Sequence, residues 1–188
     1  PLLLTHKNFT QLRNRHSKIM RTIVVTRSIP AVLASLYSKL SIADNHKSIT
    51  IKNEDSFPWD EFLERLINFF NSWGDVMTWH PAIRHYKYED IYADPLRTHM
   101  EMLEFWGLPV EEKNMAKALS QTSKREMLNR MPQGSELGNS RISTKSQAES
   151  RVISDNRFRY IIDRLNHDLK YDFGYAFNYD TPYNTAYI

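Results

Sequence analysis

The sequence contains no cysteine. Disulfides and cysteine-ligated metal sites are therefore excluded, and the composition suits a reducing, cytoplasmic setting. It also has little net charge: 25 Lys+Arg against 22 Asp+Glu give +3. That balance argues against a dedicated nucleic-acid binder and is compatible with a small anionic ligand. The longest apolar runs are far too short to span a bilayer, and no signal peptide is visible. No internal repeat and no metal-ligand cluster is present, so no metal is expected. What remains is a chain of 188 residues, 41% hydrophobic and 25% charged. That is an ordinary globular composition, enough for one domain over residues 1–188 with a real core.

The chain is organised around Arg21–Leu40. A β-branched run, Thr22–Thr26, reads as a buried parallel strand. Arg27-Ser28-Ile29-Pro30 turns the chain, and Val32, Leu33, Leu36, Tyr37 and Leu40 then recur at helical spacing. Ser28 suits the cap and Pro30 the first turn. Strand end, turn and helix start aim free backbone N–H groups and the positive end of a helix dipole at one point. With Arg27 at the strand's end and Ser35 in the helix, these groups can grip a phosphate. The same residues also suit an ordinary βα unit with a solvent-facing Arg27.

Other segments read in order. Pro1–Thr5 is a short apolar strand ending at His6, at the sheet edge where open α/β folds place ligands. Ser41–Pro58 is polar and irregular, a surface excursion. Trp59–Trp73 returns to helical spacing, its aromatic stripe serving as core. Pro81–Tyr88 is a third strand, centred on Ile83–Lys87. Asp94-Pro95 opens a helix expected to bury Met100, Leu103, Phe105 and Trp106, and Gly107 stops it. Glu111–Leu119 is a short charged helix, after which Thr122 or Ser123 with Glu126 forms a capping box. Met131–Arg151 is a loop carrying Arg141, Lys145 and Arg151. Asn156–Tyr171 is a helix, and the tail Tyr175–Ile188 lies over the surface.

Three features combine. Arg27 is followed eight residues later by Ser35 on a strand-turn-helix. Tyr88-Glu89-Asp90, Asp94-Pro95 and Phe105-Trp106-Gly107-Leu108-Pro109 follow a YED…DP…FLGLP pattern. Thr122-Ser123-Lys124 through Met127 follows a TSF-x-x-M pattern. In this order they resemble the carboxyl-terminal two-thirds of the sulfotransferase family, which uses 3′-phosphoadenosine 5′-phosphosulfate. Leu169–Tyr175 also looks like that family's closing Leu-Gly-Tyr. The resemblance implies an α/β fold with a P-loop-like parallel sheet flanked by helices. It further implies that Arg27 and Ser35 hold the 3′-phosphate, that Tyr88 and Thr122 contact the adenine, and that His6 is the catalytic base. Thr5-His6 keeps the Thr-His pair of a K-T-H-x-P segment, with Leu4 in place of its Lys and without its Pro. The loop that closes on the 3′-phosphate falls near Arg141, Lys145 and Arg151, with Arg141 the first choice.

The family's opening P-K-S-G-T-T segment has no counterpart here, and Pro1 stands directly before an apolar run. The chain is therefore expected to be amino-terminally truncated and inactive alone. The activity implied is sulfuryl transfer to an acceptor hydroxyl or amine, on a small molecule or a glycan. Adenosine 3′,5′-bisphosphate would be the product. Two other readings stand beside it: a non-catalytic nucleotide-binding or assembly protein on a decayed scaffold, and a P-loop kinase-like enzyme, which needs a Walker-type Lys and an acidic Mg²⁺ ligand.

Overall fold

The computed structural model describes residues 21–42, 53–123, 126 and 153–180. The expected strand Pro1–Thr5, the loop 131–151, and His6, Arg141, Lys145 and Arg151 lie outside the described residues. The chain gathers into two compact units: among the described residues, 21–42, 53–85 and 153–180 form the first, 86–123 and 126 the second.

In the first unit, β1 spans Thr22–Thr26 and α1 spans Ile29–Ile42. A 3₁₀ turn at Glu54–Ser56 leads into α2, Trp59–Met77. Strand β2 is Ile83–Lys87, of which the residues through His85 belong to this unit. The last helix among the described residues, α6, is Asp155–Asp168. The two strands hydrogen-bond as one sheet. Thr22 N–H donates to the Ala82 carbonyl at 2.9 Å at one end, and the Thr26 side chain meets His85 at the other. The strands therefore run parallel. The architecture is mixed α/β, mostly helical, around a small parallel two-stranded sheet.

Sequence and structure agree on both strand ranges, with one correction. β1 is buried on one face, not both: Val24 and Thr26 are covered, whereas Val25 is 44% exposed. Successive strand side chains point to opposite faces, so a strand covered on one side alternates.

Helix α1 buries Ile29, Leu33 and Tyr37, four residues apart and thus on one face. They meet Leu63, Ile67 and Phe70 of α2 and Phe158, Ile161, Ile162 and Leu165 of α6 in one apolar cluster. The stripe read from α2 is core, as expected. A second small cluster, Val24, Val76 and Ile83, seats the sheet on the end of α2.

The segment before α2 departs from its reading as a surface excursion. Asn53 and Ser56 form a reciprocal capping box. Phe57 is 3% exposed and packs among Tyr37, Trp59 and Phe62. Trp59 Nε1–H donates to the Glu54 carbonyl at 2.8 Å, and Glu54 Oε1 accepts from Ser154 N–H at 2.9 Å. One aromatic among polar residues was enough to pull the end of the loop into the core. The tail is likewise only partly superficial. Tyr175 and Phe177 pack against the main cluster, while Ala176, Asn178 and Tyr179 are exposed.

In the second unit, α3 is Tyr88–Ala93, α4 is Pro95–Trp106 and α5 is Glu112–Gln121. Asp94 caps α4 by accepting from Arg97 N–H at 3.1 Å, with Pro95 in the first turn. Gly107 ends it at φ 72°. Leu108 N–H donates to Leu103 at 2.9 Å and Gly107 N–H to Glu104 at 2.8 Å, the paired bonds of a Schellman motif. The buried face of α4 differs from expectation: Thr98 and Met102 are buried, Met100, Leu103 and Phe105 are half-buried, and Trp106 is 45% exposed. Thr98 and Met102 lie four residues apart on the inward face, whereas Trp106 sits on the last turn, at the open end of the helix.

Candidate functional site

β1 delivers its carboxyl end into Arg27-Ser28, and α1 begins at once. The Ser28 carbonyl accepts from Val32 N–H at 3.0 Å, the first bond of the helix, which puts Ser28 at the cap position. The N–H groups of the following turn have no partner within the helix, and the dipole of a 14-residue helix adds positive potential there. Arg27 and Ser28 are half-buried. Ser35 lies seven residues beyond Ser28, nearly two full turns, so the two hydroxyl residues share a face. That face, with Ala31, Val32 and Leu36, is half-buried, whereas Leu33, Ala34, Tyr37 and Ser38 are covered. The arrangement fits a phosphate: a guanidinium at the strand end, a helix start beside it and a hydroxyl on the accessible face.

One residue earlier lies a polar cluster that the sequence reading missed. Thr26 is 3% exposed. Its hydroxyl sits 2.6 Å from His85 Nε2 and 3.4 Å from Tyr175 Oη. A hydroxyl carries one proton, so when Thr26 donates to Tyr175 it accepts from the Nε2–H of His85. The imidazole packs on Phe173, ring centres 4.7 Å apart. Phe173 has φ 54° and Gly174 φ 78°. A left-handed backbone costs a bulky side chain about 1–2 kcal/mol. Asp172 holds this turn, accepting from Gly174 N–H at 2.7 Å on its carboxylate and from Tyr175 N–H at 3.1 Å on its carbonyl. The only sequence signals were a histidine near a strand's carboxyl end and an Asp-Phe-Gly-Tyr turn. Neither reveals that segments this far apart in the chain meet.

The second unit holds Tyr88 and Thr122. Tyr88 is the first residue of α3, its ring 6.4 Å from that of Tyr92 and tilted 30° to it. Thr122 ends α5, where its hydroxyl donates to the Ala118 carbonyl at 2.9 Å. Having donated, that oxygen keeps acceptor lone pairs on an exposed residue. Ser123 Oγ accepts from Glu126 N–H at 3.3 Å, which is the serine half of the expected capping box. An open cleft of about 910 Å³ runs along α4 and its exit, lined by Leu96, Met100, Leu103 and Val110 together with Glu101 and Glu104. Neither Tyr88 nor Thr122 lines it.

The groups with displaced titration lie elsewhere. The hydrogen bond from His167, 2.5 Å away, and a second from Arg164 at 2.7 Å hold the Asp168 carboxyl below its ordinary range. A hydrogen bond to Asp75 raises Lys170. The Asp168 contacts lie within the last turn of α6, and the Lys170–Asp75 pair ties the chain just after α6 to α2. Among the described residues, no group of three or more His, Asp or Glu is placed to hold a metal ion, and no helix is long and apolar enough to cross a membrane.

No curated protein and no solved structure matches the chain. The family model for the sulfotransferase domain matches residues 1–160. That span takes in β1 and its Arg27 turn, Tyr88, Asp94-Pro95 and Thr122, the residues on which the phosphate and base contacts were read. On that match, the chain belongs to the sulfotransferase domain family.

Proposed function

We propose that this chain transfers a sulfuryl group from 3′-phosphoadenosine 5′-phosphosulfate to an acceptor hydroxyl or amine on a small molecule or glycan. The observation that carries the reading is the junction of β1 and α1, where Arg27 leaves a strand end beside a helix start within the family match. Arg27 and Ser35 hold the 3′-phosphate. Tyr88 offers a ring face and Thr122 a hydroxyl to the adenine. Arg141 closes on the phosphate from its loop. His6 takes the acceptor's proton, a task for which neutral imidazole is suited near pH 7. The acceptor atom forms its bond to sulfur as the bond from sulfur to the bridging phosphate oxygen breaks, leaving adenosine 3′,5′-bisphosphate. Positioning and charge neutralisation supply most of the rate in such transfers.

Two wider readings accompany this one. The family match runs across both compact units, which supports reading the chain as one sulfotransferase-like domain. A chain without cysteine suits the cytoplasm.

Calorimetric titration of the full-length protein with adenosine 3′,5′-bisphosphate tests the site. Arg27→Ala is expected to weaken binding by about 2–4 kcal/mol, the scale of a charge-assisted contact in a desolvated site. Ser35→Ala is expected to cost about 1 kcal/mol. Unchanged affinity in Arg27→Ala would reduce the junction to a packed βα unit. Binding without turnover in the full-length protein would favour the decayed-scaffold reading.

A further inference from the structure

We infer that His85 is a positioning residue of the nucleotide site, setting Arg27 through Thr26. The inference rests on the reading of Arg27 as a phosphate ligand. Thr26 and Arg27 are consecutive, their Cα atoms about 3.8 Å apart across one peptide. Fixing Thr26 therefore fixes the point from which the Arg27 side chain departs. A long side chain loses less freedom on binding when its root is already held.

The hold on Thr26 is specific. The backbone pairing of the two strands begins at Thr22 and Ala82. Beside that backbone pairing, one side-chain contact crosses the sheet from the last residue of β1, Thr26 Oγ1 and His85 Nε2 at 2.6 Å. Tyr175 completes the chain of polar groups at 3.4 Å from Thr26. Phe173 backs the imidazole at 4.7 Å, and it does so from a left-handed backbone that phenylalanine rarely adopts. Its ring in turn packs edge-on against Phe70 of the main core at 5.2 Å.

A structural edge alone needs none of this. Valine in place of Thr26 would pack the same volume beside Val24 with no polar group to satisfy. Buried polar groups are costly unless their partners are correctly placed, and in return they fix direction. Strain, a satisfied polar chain and a charged ligand candidate meet at the carboxyl edge of the sheet. Backbone strain is characteristically retained where a site must be held in one geometry.

The geometry also specifies what must replace His85. With Thr26 donating to Tyr175, the group at Nε2 must be a donor. Glutamine supplies an amide N–H at similar reach; leucine supplies none. The test measures the dissociation constant for adenosine 3′,5′-bisphosphate and the thermal unfolding midpoint on full-length His85→Leu, His85→Gln, Thr26→Val, Thr26→Ser and Arg27→Ala. His85→Leu and Thr26→Val are expected to weaken binding on the order of tenfold, the effect of one lost directional hydrogen bond. His85→Gln and Thr26→Ser should stay within about threefold of the parent, since each keeps the bond. Midpoints should not track affinity across the set.

Three results count against the inference, and they are distinguishable. If Arg27→Ala abolishes binding while His85→Leu and Thr26→Val bind normally, the positioning role is wrong and the Arg27 reading stands. If affinity falls in step with the unfolding midpoint, or falls equally in His85→Gln, the cluster is structural only. If Arg27→Ala itself binds normally, the phosphate reading fails, and the role of His85 fails with it.

Discussion

Gly74 is buried inside α2, where alanine would be preferred on helix propensity by about 1 kcal/mol. A Cβ at that position would run into the ring of Tyr171 and come within 2.7 Å of its Cβ. Overpacking of this kind outweighs propensity, so Gly74→Ala is expected to destabilise by about 1–3 kcal/mol in urea denaturation. A neutral or stabilising result would show that the ring moves freely. Asp168 makes a pH prediction. Hydrogen bonds from His167 and Arg164 hold its folded value below the ordinary 3.8. A depressed carboxylate contributes stability that is present above the unfolded value and is lost as pH falls through the folded one. Stability should therefore decline below about pH 4. Asp168→Asn should flatten that acid decline in urea titrations, and an unaltered acid limb would assign the effect to other carboxylates.

Elements are set by their ends as much as by their stripes. Helix α4 begins on the side chain of Asp94, which accepts from Arg97 N–H at 3.1 Å and pairs with Arg97 Nε at 3.1 Å. It ends on Gly107 at φ 72°. Both signals were readable in Asp94-Pro95 and Gly107-Leu108-Pro109, because caps and left-handed stops depend on local backbone chemistry. Asp94→Ala is expected to cost about 1 kcal/mol through loss of the cap. Gly107→Ala should cost about 1–2 kcal/mol through strain at positive φ. Equilibrium unfolding of each variant checks both figures, and a cost well under half a kcal/mol at Gly107 would mean that the helix end reorganises. The buried face of α4 was less legible. Apolar residues at Met100, Leu103 and Trp106 predicted a broad inward stripe, yet the buried positions are Thr98 and Met102. Periodicity states which residues share a face; it does not state how much of that face another element covers.

Across the whole molecule, burial is uneven. Among the described residues, both apolar clusters lie in the first unit, where α1, α2 and α6 contribute fully buried side chains. Helix α5 of the second unit has no buried residue. Local stability follows buried apolar contact, so native-state hydrogen exchange should release α5 amides first and those of α2 and α6 last. Mass spectrometry on peptides from these three helices tests it; equal protection in α5 and α6 would contradict the ranking. The family match spans residues 1–160. That span takes in residues of both compact units, so the family pattern is not confined to the better-buried first unit.

What the sequence determined by itself was local and periodic. Thr22–Thr26 and Ile83–Lys87 are strands over the residues read, because a β-branched or alternating run bounded by turn signals has few other uses. The placement of Arg27 at a strand end and of Ser35 on the helix that follows was readable for the same reason: a strand end, a cap and a helix start adjoin in the chain, so their proximity needs no tertiary information. The family order of Tyr88, Asp94-Pro95 and Thr122 was equally readable along the chain. Only the tertiary structure decided that Thr26, His85 and Tyr175 meet, that Phe57 turns inward, and that Trp106 turns outward. Those contacts join residues 59 and 149 positions apart, and no local preference encodes them. They exist because packing the apolar faces of α1, α2 and α6 into one cluster brings distant segments together, and the buried polar groups at the sheet edge then meet partners that the local chain does not supply.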